Sequence, residues 1–219
     1  MLENNVEQKP KKYAGILCHP TSFPGKYGIG DLGKGAYDFI DFLKKSKINL
    51  WQVLPLGHTG FGDSPYQPFS AFAGQPLIID LEELMEFGLL TEDDFEDMPD
   101  WNPEKVSYGD LIPFKTKMLR TAFERFADKD YEDKMSADKK IMTEYRAFVK
   151  NTFWLADYAL FMAGKDYHKG MPWYMWEDTL KAPTAAQKTK WIKELKTDIE
   201  YYEFIQFLTL CRSICSHIK

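Results

Sequence analysis

Cysteine and histidine are scarce in this chain: 219 residues hold three of the first and four of the second. Cys18, Cys211 and Cys215 match neither a disulfide framework nor the paired spacing of a zinc site. No apolar run approaches the about 18 residues that a membrane-crossing helix needs. The opening segment, MLENNVEQKPKK, lacks the apolar stretch of a secretory signal. Acidic residues outnumber basic ones, 33 against 28, for a formal charge of −5, and no basic stripe stands out. These absences argue against nucleic-acid and membrane partners and predict a cytoplasmic protein. Residues 1–12, ending in KPKK, read as a disordered, solvated tail.

Apolar side chains are not lacking. Hydrophobic residues make up 44% and aromatics 16%, enough for a sizeable core. YAGILC, at residues 13–18, is a strand candidate followed by a Pro/Gly-punctuated loop. Beyond Asp31, a residue placed as N-cap or first-turn acid, Ala36, Phe39, Ile40 and Leu43 repeat at helical spacing. Leu50–Leu56 then reads as a buried strand. Strand, helix, strand is a right-handed βαβ unit with parallel strands. Beyond Asp80 the texture turns helical: LEELMEFGLL, then residues 111–130, 136–163 and 184–210, with a turn-rich acidic connection over 91–110.

The long segment Gly57–Asp80, GHTGFGDSPYQPFSAFAGQPLIID, falls at the carboxyl end of the second strand. Sites in α/β folds are built on that face. Irregular segments of this length are usually functional. Phe61, Tyr66, Phe69 and Phe72 beside Asp63, Ser64 and Gln67 suit a sugar, with its apolar C–H faces and its belt of hydroxyls.

Other constellations read more plainly. Gly28-Ile29-Gly30-Asp31-Leu32-Gly33 fits a dinucleotide fingerprint, but HPTSFPGKY separates it from its strand. No acid closes the second strand, and Asp31 would repel a phosphate; the glycines therefore read as a tight turn. His19 and His58, each after a strand, lack a third ligand or a base partner and read as structural. Trp173 and Trp176, and Trp154, Tyr158 and Phe161, read as helical core. Asp63 reads as a hydrogen-bonding group rather than a catalytic acid, since glycoside chemistry usually pairs two carboxylates; Asp80 reads as a cap.

GILCHPTSFPGKYGIGDLG, WQVLPLG and above all GDSPYQPFSAFAGQPLIIDL resemble the N-terminal part of the 4-α-glucanotransferases, the amylomaltases and disproportionating enzymes of glycoside hydrolase family 77. WLADYALFMAGKDYHKGMPWYMW and EFIQFL are similar to that family's helical insertion, so the likeness covers about residues 13–208. It implies an α/β fold, the first two strands of a (β/α)8 barrel over residues 13–80 with a mainly helical inserted subdomain over 81–208. It also implies no metal or organic cofactor, and α-1,4-glucan transfer between maltooligosaccharides or starch- or glycogen-type glucans by a retaining double displacement. Tyr66 matches the tyrosine that packs on the sugar at the cleavage point and Ser64 a polar contact beside it. Asp63 shares their loop. Phe61 stands where several relatives carry a glucan-binding tyrosine, which leaves stacking possible without the hydroxyl. Gln75 replaces a common asparagine. The family's three catalytic acids lie in motifs resembling RIDHF, AEDLG and HDN. None occurs here, so no residue is assigned as catalytic. With two strands no barrel closes, and unpaired edges and an apolar face are expected to stay open. The atypical segment 209–219 suggests a truncated or frameshifted translation, inactive alone, with a non-catalytic glucan-binding fragment as the alternative.

Overall fold

The computed structural model describes residues 12–60, 62, 64–128 and 139–212. The proposed tail thus lies almost wholly outside the described residues, as do residues 213–219 of the C-terminal segment. Strands β1 (Gly15–Leu17) and β2 (Leu50–Gln52) pair in parallel, with Gly15 opposite Leu50, Ile16 opposite Trp51 and Leu17 opposite Gln52. Helix α1 (Lys34–Lys45) makes the crossover and ends on Lys44 and Lys45, whose charges suit its carbonyl-rich terminus.

Asp31 is not the helix cap. Gly33 holds that position, and the Asp31 carboxylate accepts the Gly33 N–H at 3.0 Å, closing a turn just before the helix. The expected stripe also splits: Ala36 and Leu43 are buried and Phe39 is half-buried, whereas Ile40 is exposed. The expectation of a buried second strand is corrected too. Leu17 and Leu50 are 57% and 52% exposed, because the sheet has two strands among the described residues and its outer face carries no layer. Only the inner face is covered. There Trp51 donates its indole N–H to Cys18 O at 2.7 Å and packs against Phe23 and Phe39.

Asp80 caps helix α2 (Leu81–Glu86), accepting the Glu82 N–H at 2.9 Å. Helices α3 (Tyr108–Ala127), α4 (Lys139–Asn151), α5 (Leu155–Tyr167), α6 (Asp178–Lys181), α7 (Ala185–Glu194) and α8 (Lys196–Phe207) follow, and Leu208–Arg212 widen into a π turn. Two spans expected as single helices are therefore broken, at Thr152–Trp154 and at Leu195. The breaks let successive segments reach different faces of α8. Tyr145 and Phe148 of α4 pack on Phe207, while Tyr158 of α5 meets Tyr202.

Helix α8 is the axis of this region. Phe204 and Phe207 are fully buried, and Phe204 lies 4.7 Å from the Phe126 ring and 5.7 Å from Phe123. Each such ring contributes about 1.5–3 kcal/mol by leaving water. Polar pins fix the periphery. Arg125 grips Asp94 with two bonds of 2.6 and 2.8 Å and also donates to Leu89 O, holding the Asp94 carboxyl down at about 2. Arg120 bridges Asp166 and Asp198 over the face of Tyr201.

A buried lysine joins the βαβ unit to the helices. Lys115 of α3 is fully buried and donates to Ile79 O at 2.7 Å. Burial pulls its pKa down to about 8, opposed by the charges of Asp31 and Asp80. Burial raises both of those carboxyls, Asp80 further by its proximity to Asp31. Both surround Gly33, where an added Cβ would sit 2.2 Å from one Asp80 oxygen and 3.0 Å from an Asp31 oxygen.

Candidate functional site

Beyond β2 the chain passes through Leu56 into the Gly57–Asp80 segment, which is more ordered than its composition suggests. Its two limbs form a narrow hairpin-like stem, with bridges pairing Gly57 with Gly74 and Thr59 with Pro68. His58 N–H donates to Ala73 O at 3.2 Å, Phe69 N–H to His58 O at 3.0 Å, and Gly60 N–H to Gln67 O at 3.1 Å. Cross-limb bonds occupy these backbone groups, while the tip and the exposed Phe72 of the returning limb stay open to solvent.

Gln75 does more than replace one amide by another. Buried at the foot of the stem, it caps the 3-10 turn Pro76–Ile78 through Leu77 N–H and donates to Thr59 Oγ1 at 2.8 Å across the limbs. Its longer side chain provides the reach for the second bond.

At the tip, Ser64 and Tyr66 are brought together. Ser64 Oγ accepts the Tyr66 N–H at 3.3 Å, a local turn that orients the tyrosine. The Tyr66 ring is 68% exposed. An exposed aromatic on an anchored turn can stack on an apolar ligand face without a large ordering cost. Phe61 and Asp63, the other two expected site residues, lie outside the described residues. Beneath the tip a cleft of about 200 Å³ is lined by His19, Thr21, Thr59, Pro65, Gln75 and Tyr108, a mixture of hydroxyl, amide and ring groups.

The two histidines have separate tasks. His19 accepts the Thr21 N–H at the start of the turn Pro20–Ser22 and pairs with Thr21 Oγ1 at 2.7 Å; burial lowers its pKa. His58 Nδ1 meets the Tyr158 hydroxyl at 2.5 Å, and deep burial pushes its pKa down to about 4. Among the described residues no group of three or more His, Cys, Asp or Glu is placed to hold a metal.

The glycine string before α1 is a compact turn. Gly28 has φ +79°, and a Cβ there would strike the Trp101 ring at 2.5 Å. The Gly33 end faces the Asp31 and Asp80 carboxylates, an unfavourable place for a phosphate. The tryptophan pair divides. Trp176 is buried, stacked on His168 and bonded through its indole to Met171 O at 3.0 Å, as a core residue should be. Trp173, expected in the core with it, is 57% exposed: it opens the 3-10 turn Trp173–Met175, and the backbone is already extended at Trp176, so the two rings do not share a helical face.

Residues that sequence reasoning missed hold the loop from behind. Gln206 of α8 bonds both the N–H and the carbonyl of Gly74, and Lys115 holds Ile79 O. Their signal was visible: an amide inside EFIQFL and a lysine inside the apolar stripe of α3, each a polar group where the pattern calls for an apolar one.

Two parallel strands joined by a crossover helix, with an aromatic and polar loop beyond the second strand's carboxyl end, define the opening βαβ unit of a β/α-type fold. The 4-alpha-glucanotransferase family, glycoside hydrolase family 77, matches residues 18–212, and the chain belongs to that family. A 4-alpha-glucanotransferase of Synechocystis is 41% identical over 199 residues, covering 90% of this chain and 38% of the relative. That of Thermus thermophilus is 42% identical, covering 89% and 37%. The solved amylomaltase from Streptococcus agalactiae in complex with acarbose superposes with a TM-score of 0.80 at 32% identity, over 91% of this chain and 39% of that one. The chain thus spans somewhat under two fifths of the relatives it matches. The fold is accordingly the N-terminal portion of that barrel, two parallel strands with a mostly helical remainder, and the barrel is not closed by them. Among the described residues no helix is long and apolar enough to cross a membrane.

Proposed function

We propose that this chain supplies the glucan-binding N-terminal part of a cytoplasmic 4-α-glucanotransferase, with Tyr66 stacking on a sugar ring and Ser64 contributing a polar contact beside it. The observation that carries the reading is the exposed Tyr66 ring on a turn whose stem is tied down along its length. Family membership supports it, and so does the acarbose bound by the Streptococcus agalactiae relative, which points to an α-glucan-like ligand. Asp63 and Phe61 are assigned to the same surface, Asp63 as a hydrogen-bonding group and Phe61 as a secondary stacking contact. Residues 13–80 serve as the first βαβ unit of the barrel and residues 81–208 as the helical subdomain packed on it.

The whole enzyme would move α-1,4-glucan segments between maltooligosaccharides, or starch- and glycogen-type chains, through a glycosyl-enzyme intermediate. One carboxylate attacks the anomeric carbon and a second protonates the leaving oxygen. The motifs that bear those acids in the family have no counterpart among these 219 residues. This part therefore orients the sugar and leaves bond cleavage to groups elsewhere.

Titration of the chain with maltoheptaose, followed by calorimetry, tests the reading. Saturable binding is expected, weakened about five- to twelvefold in Tyr66→Ala, the loss of a stacking contact worth about 1–1.5 kcal/mol. Equal affinity in the two proteins contradicts it. Incubation of the 219-residue chain alone with maltotriose is expected to release no glucose above background; release would overturn the assignment of the acids to other segments.

A further inference from the structure

Gln206 lies between the buried apolar residues Phe204, Ile205 and Phe207 of α8 and is fully buried. A primary amide in such a place costs free energy unless its oxygen and both its protons find partners. None of its described bonds is to its own helix. Its Oε1 accepts the Gly74 N–H at 2.8 Å, and its Nε2 donates to Gly74 O at 2.9 Å and to the Tyr158 hydroxyl at 3.3 Å. The side-chain amide thus binds both polar groups of one residue, as a neighbouring strand would.

Gly74 is the residue that bridges to Gly57 at the base of the sugar loop, so the loop is gripped where its limbs meet. The approach is close enough to exclude a side chain. A Cβ on Gly74 would lie 2.4 Å from Thr209 Cγ2, in the π turn that extends α8. Nε2 can only donate, so the Tyr158 oxygen accepts from it, and the same hydroxyl bonds His58 Nδ1, donating to it in the tautomer that carries its proton on Nε2. His58 stands on the opposite limb and bonds Ala73 and Phe69 through its backbone. One connected relay, Gln206 to Tyr158 to His58, therefore clasps both limbs of the stem from the helical side.

We infer that Gln206 is a positioning residue for the glucan loop, fixing Gly74 and, through Tyr158 and His58, the stance in which the stem presents Tyr66. The inference rests on the glucan reading above. The helical region then acts on ligand binding at a distance, by holding the loop rather than by touching sugar.

Amide hydrogen exchange and maltoheptaose titration, made on the same chains, test it. Gln206→Leu keeps side-chain bulk but leaves both Gly74 groups unpaired, and Tyr158→Phe removes one oxygen only. Met118→Ala, a buried α3 site outside the relay, is the control for general loss of stability. In Gln206→Leu, exchange over residues 67–75 is expected to quicken, and affinity to fall, by at least about tenfold, the equivalent of one lost hydrogen bond. Tyr158→Phe should show a smaller effect in the same two readouts, and it carries the test where Gln206→Leu does not fold. Met118→Ala should lower the melting temperature while leaving loop exchange and affinity nearly unchanged. Loop exchange unaltered in the relay variants, or an affinity loss no larger than that of Met118→Ala, overturns the inference. No maltoheptaose binding by the unaltered chain, with loop exchange still responding to Gln206→Leu, sinks the glucan reading and leaves the clasp standing.

Discussion

Phe204 and Leu50 are both large apolar residues central to their elements, yet Phe204 is sealed from solvent and Leu50 is half open to it. Phe204 belongs to a helix whose neighbours α3, α4 and α5 all come from the same stretch of chain, so its apolar surface is covered by nearby sequence. Leu50 belongs to a parallel strand, and parallel strands are covered only when further strands and crossover helices arrive. Burial in the helical region is thus locally satisfied. Burial in the strand pair depends on layers that the described residues do not include.

The contrast can be broken by mutation. Phe204→Ala should cost about 3–5 kcal/mol, since the cavity is walled by Phe123 and Phe126, whereas Leu50→Ala should cost under about 0.5 kcal/mol. Urea melts of the two variants compare them directly, and similar losses would mean that the strands are as well packed as the helices.

The junction between the two regions should respond to pH. The His58 pKa is held near 4, below the ordinary 6.5, by desolvation. The unfolded chain therefore takes up more protons across that window, and stability falls as pH drops from 6.5 toward 4. The loss attributable to His58 reaches about 3 kcal/mol at most. The difference in melting free energy between the chain and His58→Asn isolates it, and a difference that does not change with pH contradicts the buried, neutral histidine.

A smaller effect sits at the edge of the helical core. Asp94→Asn should lower stability by about 1–2 kcal/mol by weakening the Arg125 fork. The Asp94 pKa is depressed to about 2, so this contribution is present above the ordinary carboxylate value of 3.8 and is lost as pH falls through 2. Melts of both proteins at neutral and acid pH should therefore converge. The smallest change in stability is expected for Leu17→Thr on the open strand face, which should instead raise solubility, read as a higher protein concentration before light scattering appears. A marked destabilisation there would show that the face is covered in solution.

Much of the fold was legible in local pattern. The βαβ order, the cap at Asp80 and most helical stretches followed from spacing and turn chemistry. The failures were tertiary. Ile40 fits a helical stripe by spacing, yet it is exposed because the layer that would meet it is not among the described elements. The three-residue spacing of Trp173 and Trp176 does not report that the turn stops at Met175 and the backbone extends at Trp176, so one residue of the pair was misplaced. At the candidate site, the Ser64–Tyr66 contact joins residues two positions apart. Gln206 lies 132 positions from Gly74, and no periodicity reports a bond across that distance. Its only trace was a polar side chain in an apolar run.

The most direct measurement is a map of backbone amide shifts on adding maltoheptaose to the isotope-labelled chain. The account predicts perturbations concentrated over residues 57–75, centred on Tyr66 and abolished in Tyr66→Ala, with β1 and β2 at most slightly affected. Shifts gathered instead on the open face around Leu17 and Leu50, or persisting in Tyr66→Ala, would contradict it.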